Sequence, residues 1–376
     1  MLSAYVWGVN PQREGGVRLT CCARIPQHRF MPVPNQRHPA ETAARLTEWV
    51  RARRPGSSVE VSDVGGPTNT GYSHETILFT ARIDGATERL VARVAPTAHS
   101  VFLEPDHARE FRVVAQLARA NAVPLPRVHG YEEDPSFLGA PFWVMEQVDG
   151  RIPSDNPPYT FGGWILDLAP DEQEALWWAG LEATAAVHRV DPAPFDFLGG
   201  GLEEQLDYYE RYLAWGSEGD PPAIALEALA WLKERRPPAE VHALCWGDSR
   251  LANQIFADGR CVAVLDWEMA TLGDPVMDLG WWLYFDRQFS EGLGMPRPSG
   301  FPSRAETIAR WESLTRRSAT HVDYYELFAG FRFAVIMCRL GHLMIAFDQL
   351  PPDSDFATNN LATDLVARML SPAEAS

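Results

Sequence analysis

Asp248, Asn253 and Asp266 stand in one short run, L-C-W-G-D-S-R-L-A-N-Q-I-F-A-D-G-R-C-V-A-V-L-D-W-E over residues 244–268. Asp248 and Asn253 lie five positions apart. Two strand-like runs follow, 254–256 and 261–265, joined by a turn at Asp258-Gly259, and Asp266 comes directly after the second. A hairpin of this kind brings Asp266 back beside Asn253. Two carboxylates and an amide gathered in this way suit phosphoryl transfer. Charge spreads over the γ-phosphoryl oxygens, and Mg²⁺, which prefers carboxylate and amide oxygens, offsets it. Asp266 and Asn253 fit the metal role. A second carboxylate must orient an acceptor hydroxyl and take its proton, and Asp248 fits that role. Arg250, two residues on, is placed to reach phosphoryl oxygens.

A further motif follows, Gly273-Asp274-Pro275-Val276-Met277-Asp278-Leu279. Taken together, G-D-x-x-x-x-N, D-W-E and G-D-P-x-x-D-L resemble the aminoglycoside phosphotransferase family, within the protein-kinase-like fold. The resemblance spans roughly residues 45–370, with the catalytic insert as its specific part. It implies a bilobal α+β architecture, with a small antiparallel-sheet N-lobe and a larger, mainly helical C-lobe. It also implies ATP and Mg²⁺ as cofactors, and a small hydroxylated molecule as acceptor. Similar kinase domains occur fused to acyl-CoA dehydrogenases, so a hydroxyacyl thioester is an alternative acceptor.

The resemblance extends to further residues. Gly65, Gly66, Thr68 and Asn69 lie where the family has its phosphate-covering loop; a plain hairpin turn is the other reading. Arg93 stands where such kinases place the strand lysine that grips the α and β phosphates, and an edge-strand surface charge is the alternative. Glu110 is its expected ion-pair partner, or else part of a solvated helix face. Backbone groups at Glu146 and Val148 form the expected adenine hinge. The chain departs from the pattern twice: Arg93 replaces the lysine, and Trp246 stands where a histidine is usual before Gly-Asp. The only lysine in the chain is Lys233, so a cation elsewhere must be Arg or His. These departures keep a nucleotide-binding pseudokinase scaffold open as a reading. A protein kinase ranks last, because G-D-P follows Asp266 almost at once and leaves little room to dock a polypeptide.

The elements that must position these residues follow from periodicity. Residues 41–53 carry apolar positions at helical spacing, and Pro55-Gly56 ends the run. Strands are expected at 59–64, 76–83, 90–94, 128–131 and 142–148, with one helix near 106–120. That order makes a compact antiparallel module, so the expected organisation is a tail over 1–40, an N-lobe over 41–148 and a C-lobe over 149–376. Helices are expected near 171–189, 202–215, 222–236, 275–286, 303–317, 322–349 and 356–370. The Pro-rich segment 152–160 and the later helices are expected to shape the acceptor pocket.

Several side chains have a structural reading. Asp274 before Pro275 reads as a helix cap, Asp278 as a brace for the catalytic loop, and His188 as a packing histidine. Trp177-Trp178 and Trp281-Trp282 read as core, with a substrate platform as the other reading. Glu268 serves either the metal site or the solvent.

Composition excludes other classes. A net charge of −17, with basic clusters only at residues 51–54 and Arg235-Arg236, does not suit a nucleic-acid binder. The acidity suits either a solubilising surface or a cationic acceptor. Five cysteines without a C-x-x-C pair argue against a disulfide framework and a structural zinc site. No apolar run is expected to reach the length of a membrane span, and the first thirty residues lack the order of a signal peptide, so cytoplasm is the expected compartment.

Overall fold

The computed structural model describes residues 37–66, 73–97, 99–237 and 242–371. Helix α1 (Pro39–Arg53) opens with proline at its first position and buries Leu46, Trp49 and Val50 on one face. Pro39 and Ala40, read above as tail, thus already belong to a helix. Five strands follow, β1 (Val59–Gly65), β2 (Glu75–Ile83), β3 (Ala86–Val94), β4 (Val128–Glu132) and β5 (Phe142–Glu146), with α2 (His107–Ala120) between β3 and β4. They form one antiparallel sheet in the order β1-β2-β3-β5-β4. At the β2–β3 turn Asp84 and Gly85 both take positive φ, +50° and +84°, which matches the twist of a tight hairpin.

Period-two alternation assigns the two faces of the sheet. Ile77, Phe79, Leu90, Ala92, Phe142 and Val144 pack with Leu46 and Trp49 of α1. Val91, Trp143 and Met145 point the other way, towards Val113 and Leu117 of α2 and towards Trp246, Val264 and Trp267 of the second lobe. Arg93 shares the face of Val91, so alternation alone turns it into the gap between the lobes. Helix α2 is capped by Asp106, whose side chain accepts from the Arg109 N–H. Its buried face carries His107, Glu110, Val113, Val114 and Leu117. A glutamate on that face faces the sheet rather than water.

The second lobe contains α3 (Pro170–Val187), α4 (Leu202–Gly216), α5 (Ala223–Glu234), α6 (Val276–Arg287), α7 (Arg304–Thr315), α8 (Val322–Ala346) and α9 (Leu361–Leu370). Between α5 and α6 lie two short ladders. The hairpin joins β7 (Gln254–Ala257) to β8 (Arg260–Val264), and β6 (Ala243–Cys245) pairs with β9 (Thr271–Gly273). The α6–α8 pair forms the centre. Gly280 permits this close approach: a Cβ there would lie 2.5 Å from the carbonyl carbon of Tyr325.

Two expectations need correction. Helix α8 is 25 residues long and apolar enough to cross a membrane by length and composition. Most of it is buried among α4, α5, α6 and α9, and a helix surrounded by partners is apolar all round. The last helix begins at Leu361 rather than 356. Asn360 accepts from the N–H groups of Ala362 and Thr363, and this cap starts the helix after the turns that precede it.

Candidate active site

The catalytic segment is built around a glycine. Gly247 has φ +91°, and a Cβ on it would lie 2.1 Å from the Met269 carbonyl oxygen. Only glycine lets the chain turn there, and the turn delivers Asp248 to the floor of the cleft. Asp278, fully buried on α6, accepts from the N–H of Trp246 (2.6 Å) and of Gly247 (2.8 Å). His188 Nε2 lies 2.9 Å from the same carboxylate, and Trp311 donates to its Nδ1. The brace expected of Asp278 and the packing role expected of His188 therefore form one unit. Asp274 accepts from the Val276 N–H at the start of α6.

The hairpin brings the chemical groups together. The Leu265 N–H donates to the Asn253 carbonyl oxygen over 2.9 Å, which sets Asp266 beside Asn253. Asn253 Nδ2 donates to Asp248 Oδ2 over 2.6 Å and to the Asp248 carbonyl oxygen. With its amide N–H groups committed, the Asn253 side chain offers Oδ1 as an acceptor. Asp266 adds carboxylate oxygens. Hard oxygen donors of this kind fit Mg²⁺.

On the small-lobe side Arg93 reaches Asp266 (2.7 Å) and Glu110 (3.3 Å) at once. Burial raises the Asp266 carboxyl, and the Arg93 guanidinium outweighs it, so Asp266 lies below the ordinary aspartate value. Burial likewise raises Glu110, and Arg93 with His74 pulls it down to about 2. Glu268 goes the opposite way. Buried beside Asp266 and Glu110, it is held well above the usual carboxylate range. It faces His74 at 3.3 Å rather than solvent.

Arg250 does not lie free to reach a phosphate. Its Nε and Nη2 donate to Asp248, its Nη1 to buried Asp155, and its plane lies over Phe285. Reaching a phosphoryl oxygen requires it to give up one of these partners. Asp248 Oδ1 also accepts from Trp281 Nε1 over 2.7 Å. Trp281, read above as core, therefore positions the carboxylate as well as packing.

These groups line a cleft of about 410 Å³ between the lobes. Glu146, Gln147 and Val148 form its edge. The Glu146 N–H donates to the Arg127 carbonyl oxygen, so what Glu146 can offer a ligand is its carbonyl group. Gly65 closes β1 and Gly66 follows it; Thr68 and Asn69 lie outside the described residues. Beyond Asp248 the wall is apolar, with Trp281, Phe285, Phe289, Phe333, Ile336 and Leu340.

Sequence reasoning missed Asp155, His74, His107 and the second role of Trp281. Glu110 on the apolar face of α2 was the one local signal that pointed towards the two histidines.

A five-stranded antiparallel lobe over a helical lobe, with Asp248, Asn253, Asp266 and Arg93 gathered at their junction, is a kinase-like fold. The model of the phosphotransferase enzyme family (APH) matches residues 67–307, and the chain belongs to that family. It is a small-molecule phosphotransferase. Among solved structures, an aminoglycoside phosphotransferase-like protein from Ralstonia eutropha is similar, with a TM-score of 0.65 and 26% identity over 87% of this chain and 95% of that one. A ternary complex of aminoglycoside phosphotransferase APH(4)-Ia with ADP and hygromycin B shares the fold, with a TM-score of 0.53 and 17% identity, covering 87% of this chain and 99% of that one. Among curated proteins, the probable acyl-CoA dehydrogenase IBR3 of Arabidopsis thaliana is 28% identical over 71% of this chain and 34% of its own length. Acyl-CoA dehydrogenase family member 10 of Mus musculus is 33% identical over 52% of this chain and 18% of its own length. This chain thus spans about a third or less of these relatives, and their dehydrogenase name describes much longer proteins.

Proposed function

We propose that the chain transfers the γ-phosphoryl group of ATP, held with Mg²⁺, to a hydroxyl group on a small acceptor with an apolar body. The observation that carries this reading is the position of Asp248. It lies where the arginine and oxygen-donor side of the cleft meets the apolar wall of Trp281, Phe285 and Phe333. Nucleotide binding is supported by the fold shared with a protein captured with ADP. Asn253 Oδ1 and the Asp266 carboxylate would hold the metal, which when bound supplies charge neutralisation at the phosphates. Arg93, on the face of β3 turned to the cleft, grips phosphate oxygens from the other side.

Asp248 orients the acceptor hydroxyl and receives its proton. The acceptor oxygen forms a bond to γ-phosphorus while the bond from phosphorus to the β–γ bridging oxygen breaks, and ADP leaves. Trp281 and Asn253 fix the Asp248 carboxylate, so the base meets the hydroxyl without reorganising.

The apolar wall favours an acyl-bearing alcohol, such as a hydroxyacyl thioester, over a polycation. The carboxylates on that side, Asp155 and Asp248, are already paired with Arg250. ATP consumption across hydroxyacyl thioesters, amino alcohols, sugars and aminoglycosides tests this. The expected result is turnover with apolar hydroxyl acceptors that Asp248→Ala lowers by roughly 10²–10⁴-fold. Turnover confined to aminoglycosides would overturn the acceptor class. Undiminished turnover in Asp248→Ala would overturn the base, and nucleotide binding without turnover on any acceptor would point to a scaffold.

A further inference from the structure

Behind the Arg93 clamp lies a second set of donors. His107 Nε2 lies 3.0 Å from the main-chain carbonyl oxygen of Arg93. A carbonyl oxygen only accepts, so the proton of the neutral ring sits on Nε2 and Nδ1 presents a lone pair. That lone pair faces Glu110 Oε2 at 3.5 Å, and a carboxylate oxygen also only accepts. Among the described residues neither atom has a hydrogen-bond partner of good geometry, and the two residues are 8% and 3% exposed. Two acceptors facing each other in a dry interior repel, and a cation between them removes the conflict. His74 Nε2 lies 3.4 Å from the same Glu110 oxygen. The three donor atoms fall within 4.8 Å of one another. A tetrahedral ion with arms of about 2.0–2.1 Å sets its ligand atoms roughly 3.3 Å apart, close to both of these separations.

We propose that His74, His107 and Glu110 form a site for a divalent transition-metal ion of the zinc class, with water as its fourth ligand. The surroundings supply the supporting contacts such a site uses. His107 donates its other N–H to the Arg93 carbonyl oxygen. His74 Nδ1 lies 3.3 Å from Glu268 Oε2, so with Nε2 on the metal its Nδ1–H points at a carboxyl oxygen. Arg93 Nη2 lies 3.0 Å from His74 Nδ1 and, because a guanidinium only donates, it donates there; a metal at Nε2 moves the ring proton to Nδ1, and Arg93 must then release that contact. It keeps Glu110 Oε1 and Asp266 as partners when His74 turns its lone pair to the metal. Glu110 then bridges the ion and Arg93, which ties α2 to the segment entering β2. A cavity of about 750 Å³, lined in part by His74 and Glu110, gives an entry path. Two imidazoles among three ligands suit Zn²⁺ or Co²⁺ and disfavour Mg²⁺, so the site is distinct from the oxygen pair at Asn253 and Asp266. It stands whatever the acceptor is.

The test is titration of the full chain, freed of metal by chelator dialysis, with Co²⁺ and Zn²⁺. The Co²⁺ d–d spectrum and the zinc-edge X-ray absorption spectrum are recorded. The expected result is one equivalent with a four-coordinate spectrum, a shell of nitrogen and oxygen that includes two imidazoles, and a raised Tm with Zn²⁺ but not with Mg²⁺. His107→Ala and His74→Asn are each expected to weaken binding by at least about tenfold, and His129→Ala to leave it unchanged. Absence of stoichiometric binding overturns the site and leaves a proton as the cation between His107 and Glu110. A sulfur-containing or six-coordinate shell, or full binding by folded His107→Ala, also overturns it. If the variants fail to fold, the imidazole count of the wild-type zinc shell decides.

Discussion

Trp246 holds Asp266 from behind: its indole Nε1–H donates to the Asp266 carbonyl oxygen over 3.0 Å, and to that of Leu265 over 2.8 Å. Asp266 sits at φ +56°, a left-handed conformation that costs a non-glycine residue about 1–3 kcal/mol unless its surroundings hold it there. The indole supplies that hold and fills the space beside Trp267. The residue that stands in place of the family's histidine therefore has a function. Trp246→Phe keeps the ring and loses the donor. We expect a fall in kcat of about tenfold with less than about 2 kcal/mol lost from folding, read from steady-state kinetics and urea unfolding. Unchanged kcat would remove the bond from the catalytic account.

Arg93 binds two carboxylates through one guanidinium, and a lysine can offer only a point charge. Arg93→Ala is expected to raise the Kd for Mg-ATP by about ten- to a hundredfold, roughly 1.4 kcal/mol per factor of ten. Arg93→Lys should recover at least half of that loss. Equilibrium binding of a fluorescent ATP analogue measures both, and wild-type affinity in Arg93→Ala would contradict the clamp.

Gly247 is required by its φ and by the Met269 carbonyl oxygen that a Cβ would strike. Gly247→Ala should destabilise the protein by at least about 3 kcal/mol, because strain and close approach act together. A thermal melt followed by circular dichroism that matches wild type would contradict that geometry.

Asp286 pairs with Arg297 at 2.7 Å, yet burial outweighs the guanidinium and pushes its carboxyl up to about 6 from an ordinary value of 3.8. The folded state therefore binds this proton more tightly than the unfolded chain does. The contribution is fully present below pH 3.8 and is lost as pH rises through about 6. Each unit is worth about 1.4 kcal/mol, so between pH 4 and pH 7 the wild type should lose roughly 2 kcal/mol relative to Asp286→Asn. Urea midpoints of the two proteins at pH 4 and pH 7 measure it, and a constant difference would refute the shift.

Much of the fold was legible because its signals are local. Alternation along β3 turned Arg93 to the cleft, the 258–259 turn set Asp266 beside Asn253, and Asp274 before Pro275 started α6. Caps, turns and periodicity act over a few residues, and a sequence displays them directly. The last helix was read too long because Asn360, its cap, lay inside an apolar pattern. Helix α8 was placed at 322–349 and begins at Val322 as expected; its being apolar enough to cross a membrane was missed.

The sequence by itself determined the short run that carries Asp248, Asn253 and Asp266, and the element order that presents it. Tertiary structure alone decided the company that set keeps. Asp155 reaches Arg250 across 95 positions, Trp281 reaches Asp248 across 33, and His74, just before β2, meets Glu110 of α2. Such pairs arise from the packing of whole elements. Their energy comes from burial and charge in a dry interior, which residue spacing along the chain does not encode.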